Sequence, residues 1–598
     1  MLPFPRVRPL LLLSLTTALA CSDDAAVTET SDAGETSGTT SPTTDPTTGA
    51  GPTTSSSTTD PDSSGESEAD ESSTGDTTGG EPMPEPLLWQ TDCEAGNYDL
   101  ARLHPDLECT AMEVPLDWDA PDGETIVVGA VRIPTTADER VGTFWALDGG
   151  PGGSGLGYAL DDGWREELRA AGWDVIIPPH RGTFSPLLTC FSPDYLAVDC
   201  RLELDDEWGD GLQHFNTVEA ARDVGEFIRR ERLSEDEAVV VYGVSYGTYW
   251  AQFYAGEFPT QATAIILDSA VPTTADLALE EYLVQDIAEQ LLQACVDDPV
   301  CGARVGFESG EAFSAAVIDA FDNGECGAGD VGNWEDSNLR VLFGNLINSR
   351  NTRNYIPLMA AMLTRCDPEL SSTVGGAING LFGQLGAPVR PTERFPIGPP
   401  LVSDPEPLHD GSPPAPNSLF SGPLQSTVIA TTMLTADATP AQAELDASRH
   451  FASLGFGTLM TRVQESWDDL PKVEFDRDFE SQTPMLVFNA HYDLQTVFPW
   501  AEIVAAQHGA PLVEFADGQH GVTLSNTGGK TLEGESCARE IMLAFVEDPE
   551  APVDDDCAGE LPQIDVNLAR PDLAGMSMSA FGTDDPWSLL PPLESPDF

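Results

Sequence analysis

Residues Gly243–Gly247 read GVSYG and match the pattern G-x-S-x-G. In this pattern a strand turns sharply into a helix, and the two glycines leave room around the serine hydroxyl. The flanking sequence fits, because AVVVY before the pattern is typical of a buried strand and YGTYWAQFYAGEF after it is typical of a helix. The pattern therefore predicts Ser245 as a nucleophile that attacks acyl carbonyls. The alternative is a tight strand–helix turn in which the serine only caps the helix.

A glycine-rich run, DGGPGGSG over Asp148–Gly155, follows a predicted strand at Thr143–Leu147. Acyl transfer needs two backbone N–H groups that bind the developing oxyanion, and glycine lets the backbone approach closely. The expected donors are Gly150 and Tyr246, the residue after the predicted nucleophile. A purely structural glycine loop is the alternative, whereas the lysine of a phosphate-binding P-loop is absent from this run.

A serine nucleophile needs a histidine base and an acid that orients the base, and in this arrangement the chain order is serine, acid, histidine. His520 is the expected base, because it follows the predicted strand Leu512–Phe515 on a loop with two glycines. The other histidines after Ser245 lie in a predicted insertion, before the best acid or inside a helix. They are His409, His450, His491 and His508.

The expected acid is Asp493, which follows the predicted strand Met485–Asn489. The alternative is Asp268, which comes at the end of the predicted strand Ala262–Leu267. Both positions are compatible with the required chain order. Asp493 is preferred because the acid is expected after the strand that follows the insertion.

These residues must be positioned by a scaffold, and short apolar strands alternate with helices from about Leu87 onward. Such alternation is typical of a mostly parallel sheet with helices on both faces. One predicted helix covers Asn216–Arg232, with Thr217 as its expected N-cap. Between residues 275 and 482 the strand pattern stops and helical segments take over. The sequence therefore predicts an α/β-hydrolase fold with an inserted, mainly helical cap.

The N-terminus has the pattern of an export signal. Arg6 and Arg8 precede the mostly apolar stretch Leu10–Leu19, and small residues lead to a cleavage site after Ala20. Cys21 follows, so the expected fates are simple secretion or cleavage with acylation of Cys21. The predicted parts are a signal peptide (1–20), a lipid-anchored disordered tether (21–86), the first part of the core (87–274), the cap (275–482), the C-terminal part of the core (483–560) and a C-terminal extension (561–598).

The chain has 11 cysteines, and an even set of ten is left once Cys21 is set aside. An even set in an exported protein is typical of disulfide bonds. Nearest neighbours in the sequence give the expected pairs, with reduced core thiols as the alternative. The pairs are Cys93/Cys109, Cys190/Cys200, Cys295/Cys301, Cys326/Cys366 and Cys537/Cys557.

The net charge of the chain is -73. Residues 91–598 hold 25 Lys and Arg against 85 Asp and Glu, so the globular part is itself strongly acidic. Nucleic acid is therefore excluded as an expected partner. The expected partners are a peptide or small acyl substrate, and a membrane only through a lipid anchor at Cys21.

Several segments are similar to those of one known family. They are VPLDW (114–118) after Cys109, GGPGGSG (149–155), Arg181-Gly182, GVSYGTY (243–249), Asp493 with Thr496 and Pro499, and His520-Gly521 followed by Cys537 and Cys557. On these residues the chain resembles the secreted tripeptidyl-aminopeptidase family of α/β hydrolases, relatives of prolyl aminopeptidases, over about residues 88–557. The resemblance implies triad roles for Ser245, Asp493 and His520.

The chain departs from this family in the loop after the predicted strand Asp174–Pro178. Pro179 and Phe184 stand in place of an aspartate and a glycine, and Asp148 stands where relatives often have histidine or glutamine. These departures concern the fit of the substrate more than the chemistry.

Three functions are open at this point. The first is an aminopeptidase that releases short peptides from free N-termini, with Glu280 and Glu281 of the cap as candidates to bind the ammonium group. The second is an esterase or amidase acting on small acyl compounds, since the triad does not distinguish the two. The third is a surface-binding protein on an inactive scaffold. No metal or organic cofactor is expected for any of them.

Overall fold

The computed structural model describes residues 85–591 except for a set of gaps. These are 96–97, 101–102, 161, 185–186, 191–197, 235, 276–281, 323–335, 385–422, 434–438, 440–444, 446–447, 468–469, 478 and 526–535. Cys21, His409 and the pair Glu280 and Glu281 therefore lie outside the described residues.

Eight strands form one sheet. They are β1 (Glu108–Pro115), β2 (Thr125–Ile133), β3 (Gly142–Leu147), β4 (Trp173–Ile177), β5 (Ala238–Val244), β6 (Ala264–Asp268), β7 (Met485–Ala490) and β8 (Leu512–Phe515). Their spatial order is β8-β7-β6-β5-β3-β4-β2-β1. The six strands from β3 to β8 pair in parallel, and β2 pairs antiparallel with both β1 and β4. The predicted α/β-hydrolase fold is confirmed by this mostly parallel sheet.

The inner strands are apolar on both faces because helices cover both sides of the sheet. Every residue of β3, β4, β6 and β7 is buried. Along β5, alternate residues enter different cores, Val239 and Val241 on one face and Val240 and Tyr242 on the other. The period of two residues thus divides the apolar side chains between two layers.

Sixteen helices of the described residues lie between the strands or follow the last one. They are α1 (Asp162–Ala170), α2 (Val198–Trp208), α3 (Thr217–Glu231), α4 (Tyr246–Glu257), α5 (Tyr282–Asp297), α6 (Pro299–Val305), α7 (Gly310–Asp322), α8 (Asp336–Asn348), α9 (Ile356–Leu363), α10 (Pro368–Gln384), α11 (Pro423–Met433), α12 (Phe456–Trp467), α13 (Phe498–His508), α14 (Cys537–Glu547), α15 (Asp556–Gly559) and α16 (Ala574–Phe581). Helices α5 to α12 all lie between β6 and β7, so the expected helical insertion is present after the sixth strand.

The C-terminal extension packs against this insertion. The Tyr355 hydroxyl donates a hydrogen bond of 2.9 Å to the carbonyl of Leu573, and its ring stacks on Phe581 with centroids 5.6 Å apart. Helices α10 and α16 lie so close that a Cβ on Gly380 would lie 2.8 Å from the Cα of Ala580. The extension is therefore a structural part of the cap.

Four of the expected disulfide bonds are confirmed. They are Cys93–Cys109, Cys190–Cys200, Cys295–Cys301 and Cys537–Cys557. Cys366 is also disulfide-bonded, while its expected partner Cys326 lies outside the described residues. Among the helices of the described part of the chain, none is long and apolar enough to cross a membrane.

Candidate active site

Ser245 lies on the turn between β5 and α4, with φ 57° and ψ -128°. This left-handed backbone is strained for a serine and lifts its side chain out of the strand. Neighbouring glycines are required, because a Cβ on Gly243 would lie 2.2 Å from the carbonyl oxygen of Gly247. The Ser245 N–H donates a 3.0 Å hydrogen bond to the carbonyl of Asp268, which fixes the turn against the end of β6. The turn that the G-x-S-x-G pattern predicted is therefore present.

The glycine-rich loop after β3 lies directly against this turn. A Cβ on Gly149 would be 2.8 Å from the Cβ of Ser245, so only glycine fits there. The loop is held by the Asp148 carboxylate, which accepts N–H groups from Gly149 (2.8 Å) and Gly155 (2.9 Å) and the hydroxyl of Tyr158 (3.2 Å). Burial raises the pKa of Asp148, and these hydrogen bonds oppose that rise.

The two expected oxyanion donors lie on the glycine-rich loop and at the start of α4. Gly149 directs its N–H to Asp148, so Gly150 supplies the next N–H along the loop. Tyr246 is the first residue of α4, where the N–H groups have no acceptor within the helix. The oxyanion roles of Gly150 and Tyr246 stay predictions.

Asp493 is fully buried on the loop after β7. Its Oδ1 accepts the N–H groups of Gln495 (2.9 Å) and Thr496 (3.1 Å), and its Oδ2 accepts the Thr496 hydroxyl at 2.8 Å. The same Oδ2 lies 2.8 Å from Nδ1 of His520. Burial would raise the pKa of Asp493, but His520 and these hydrogen bonds outweigh burial and lower it.

His520 lies on the loop after β8, and its side chain is 19% exposed. Burial alone would lower its pKa, but the charge of Asp493 and the hydrogen bond to it, with a smaller contribution from Asp268, raise the pKa above its usual value. The Asp493 carboxylate therefore stabilises the imidazolium form that a general base passes through.

The loops that carry the three predicted triad residues follow β5, β7 and β8 at the carboxyl edge of the sheet. Ser245 directly follows Val244, the last residue of β5, which pairs with Asp268 of β6. The N–H of Gly521, the residue after His520, donates to Ser269 Oγ at 2.8 Å. The loop that carries His520 is therefore bound to the residue that follows β6. Because the carboxyl ends of β5 to β8 lie at this edge, Ser245 lies at the same end of the sheet as the Asp493–His520 pair, and the triad of the three residues stays a prediction.

The alternative acid, Asp268, makes different contacts. Its carboxylate is fully buried and accepts the N–H groups of Val522 (2.8 Å) and Thr523 (2.9 Å), while Asp493 is the carboxylate that meets the imidazole. The geometry favours Asp493 as the orienting acid. The Thr496 hydroxyl, 3.3 Å from His520 Nδ1, is a contact that the sequence pattern alone did not identify.

Two groups of curated relatives carry serine-peptidase names. The chain is 30% identical over 218 residues to serine protease Hip1 of Mycobacterium tuberculosis, over 32% of this chain and 41% of that protein. It is 28% identical over 230 residues to a tripeptidyl aminopeptidase of Streptomyces coelicolor, over 33% of this chain and 41% of that protein. Over these stretches the chain is similar to proteins named as serine peptidases.

The match spans about two fifths of the length of these curated relatives. No family model matches the chain. Among solved structures, an α/β-hydrolase fold protein from Nakamurella multipartita aligns over 70% of this chain and 95% of its own, with 12% identity and a TM-score of 0.29. The strand order and register of the sheet itself define the fold.

In this α/β-hydrolase fold, cap residues contact both the loop that carries Asp493 and the loop that carries His520. The Asn348 side chain accepts the N–H of Leu494 at 3.0 Å, next to Asp493. Asp517, three residues before His520, is buried beside Arg350 and Arg353, at 3.4 Å and 3.7 Å. The cap therefore contributes to positioning the site as well as covering the sheet.

The loop after β4, in which the sequence departs from the tripeptidyl-aminopeptidase pattern, is a packed structural element. Phe184 packs against β2, since a Cβ on Gly129 would lie 3.1 Å from its ring. Arg181 is buried and donates to both oxygens of Asp223, at 2.6 Å and 2.8 Å. Burial lowers the pKa of His180 to about 3, so this imidazole is neutral.

One group of side chains among the described residues has the spacing of metal ligands, Asp117, His214 and Glu219. Glu219 also lies 3.7 Å from Arg181 and 3.9 Å from Arg222. Two guanidinium groups at this distance already neutralise the carboxylate and repel a cation. The cluster is better explained as an ion-pair network.

Proposed function

We propose that this protein is an exported serine hydrolase that releases short peptides from free N-termini through an acyl-enzyme. The observation that carries the proposal is the 2.8 Å contact between Asp493 Oδ2 and His520 Nδ1 at the sheet edge where Ser245 follows β5. The tripeptidyl-aminopeptidase name of one group of relatives supports a peptide substrate.

In the proposed reaction Ser245 Oγ attacks the acyl carbonyl while His520 takes its proton. Asp493 holds the imidazole with Nδ1 protonated and stabilises the cation that forms. The N–H groups of Gly150 and Tyr246 bind the oxyanion. His520 then protonates the leaving amine, and water hydrolyses the acyl-enzyme through the same base.

A second candidate function is an esterase or amidase on small acyl compounds, because the same triad would perform it. A peptide library with free N-termini and its N-acetylated counterpart separate the two. The aminopeptidase should cleave the free peptides and lose at least about tenfold in kcat/KM on the blocked ones, because a site for the ammonium group is left unpaired. Mass spectrometry of the products is the readout.

The matched control for this digestion is Ser245→Ala, which should release no products from either library. Equal cleavage of both libraries, or turnover of simple acyl esters alone, would instead favour the esterase function. Glu280 and Glu281 stay candidates for the ammonium site.

We also propose export with a lipid anchor at Cys21, which the disulfide bonds support because such bonds persist in oxidising compartments. The Cys21→Ser variant should move from the membrane fraction to the soluble fraction, since no acyl chain can be attached to serine by this route. Cell fractionation with immunoblotting measures the shift. A wild-type protein that is already soluble after export would contradict the anchor.

A further inference from the structure

A second buried carboxylate lies at the same sheet edge as the proposed triad, and the proposed reaction gives it no role. Asp268 is the last residue of β6 and is fully buried. Its Oδ1 accepts the N–H of Val522 at 2.8 Å, and its Oδ2 accepts the N–H of Thr523 at 2.9 Å. A buried carboxylate is costly unless such donors surround it, so this arrangement needs a reason.

Two hydroxyl groups complete the set of donors. Tyr242 of β5 donates to Oδ2 of Asp268 at 2.9 Å, and the Thr523 hydroxyl donates to the same oxygen at 2.6 Å. The two hydroxyl oxygens are themselves 2.7 Å apart. Burial raises the pKa of Asp268 above its usual value, and the donors that face both carboxylate oxygens oppose this rise and favour the ionised form.

The segment that Asp268 contacts, Val522 and Thr523, comes directly after the loop position of the proposed base His520. His520 is two residues before Val522, and between them the N–H of Gly521 donates to Ser269 Oγ. On the outer side, the guanidinium of Arg539 donates to the carbonyl of Thr523 at 2.9 Å. The end of β6 therefore fixes the backbone that carries His520.

We propose that Asp268 is a positioning residue that anchors the His520 loop beside Ser245 and contributes its negative charge to the site. This inference rests on the proposed function, since it concerns the base of that reaction. The charged groups facing His520 among the described residues are Asp493, in direct contact, and Asp268, whose charge also raises the pKa of the imidazole.

An amide cannot replace this carboxylate without loss. In Asp268→Asn the Nδ2 group would face either the N–H of Val522 or the N–H of Thr523, so one backbone hydrogen bond would be lost. The loop should loosen, and a small misplacement of a catalytic group costs up to about 100-fold in rate. Loss of the charge also removes part of the stabilisation of the imidazolium.

The test is the pH profile of kcat/KM for p-nitrophenyl acetate, with rates expressed per site titrated by a fluorophosphonate. Because His520 must be neutral to act as base, activity falls as pH drops through its raised pKa. This fall of kcat/KM at low pH is the acid limb of the profile. In Asp268→Asn the acid limb should move to lower pH by about one unit, because a negative charge near His520 is lost. The kcat should fall about tenfold or more, because the loop that carries the base is less well positioned.

A second variant keeps the inference testable where Asp268→Asn does not fold. Thr523→Val removes one hydroxyl donor and keeps the backbone N–H, so it should lower kcat several-fold with little change in KM. The matched control is Asp174→Asn in β4, a buried carboxylate that accepts the N–H of Thr135 at 2.7 Å near the start of its strand. It should lose stability but keep the wild-type acid limb and kcat per titrated site.

An acid limb and kcat per site equal to wild type in Asp268→Asn, or a kcat per site equal to wild type in Thr523→Val where Asp268→Asn does not fold, would overturn the inference. Failure of the wild-type protein itself to be titrated or to turn over the ester would instead contradict the proposed function. The two failures are therefore distinguishable.

Discussion

Replacing Ser245 with alanine should reduce kcat by at least about 10⁴-fold, whichever acyl substrate the enzyme prefers. The expected loss is large because the hydroxyl is the atom that becomes acylated, and no other group on the strained turn can replace it. Steady-state assays on p-nitrophenyl acetate and on the best peptide substrate measure the effect. Folding should be unaffected, since the alanine side chain is smaller and the Ser245 N–H contact with Asp268 involves only backbone atoms.

The matched control is Ser588→Ala, which removes an exposed hydroxyl in the C-terminal extension. That variant should retain wild-type kcat and KM on both substrates. Residual activity of Ser245→Ala within about tenfold of wild type would mean that another residue performs the attack.

The second large effect is expected for Asp493→Asn, with a loss of about 10⁴-fold in kcat. The asparagine would present either an amide N–H to His520 Nδ1, or its carbonyl oxygen at the expense of the Thr496 contacts. In the first case Nδ1 carries no proton, so Nε2 is protonated and cannot accept the proton of Ser245. KM should change little, because Asp493 is buried and does not reach the substrate.

Comparison with Asp268→Asn separates the two buried carboxylates. Replacing the orienting acid in Asp493→Asn should lower kcat about 10⁴-fold. Replacing the positioning carboxylate in Asp268→Asn should lower kcat only about 10-fold to 100-fold and should also shift the acid limb of the pH profile. Equal losses in the two variants, or a larger loss at Asp268, would move the triad acid to the end of β6.

The sequence was sufficient for the parts of this molecule that follow a local pattern. The strand AVVVY, the two glycines and the following helix predict the turn at Ser245 because that backbone needs those residue types. The strand Leu512–Phe515 has the predicted bounds, and its Val513 and Phe515 side chains are buried in the sheet. The near-neighbour cysteines predict the four described disulfide bonds because short loops bring their ends together readily.

The sequence was less informative where two residue types can perform the same task. The helix α3 was expected to be capped by Thr217, but the side chain of Asn216 accepts the N–H of Glu219 and is the N-cap. Asparagine is the stronger cap, and moving the cap by one residue places Thr217 inside the helix, where its hydroxyl lies 2.9 Å from that of Tyr246.

Contacts between residues that are far apart in the chain could not be predicted from a single sequence. The donors around Asp268 come from residues 26 and more than 250 positions away, so nothing local to that strand identifies them. The packing of the C-terminal extension on the cap, and the salt bridges between cap arginines and Asp517, depend in the same way on the completed fold. These contacts concern the support of the site, whereas the candidate catalytic residues were predictable from motifs.

Covalent labelling with a fluorophosphonate, followed by peptide mapping, tests the central claim most directly. The probe reacts only with a serine that is activated by a neighbouring base and faces an oxyanion site. The account predicts one modified peptide carrying the adduct on Ser245, with labelling abolished in Ser245→Ala and strongly slowed in Asp493→Asn. An unlabelled folded protein, or an adduct on a different residue, would contradict it.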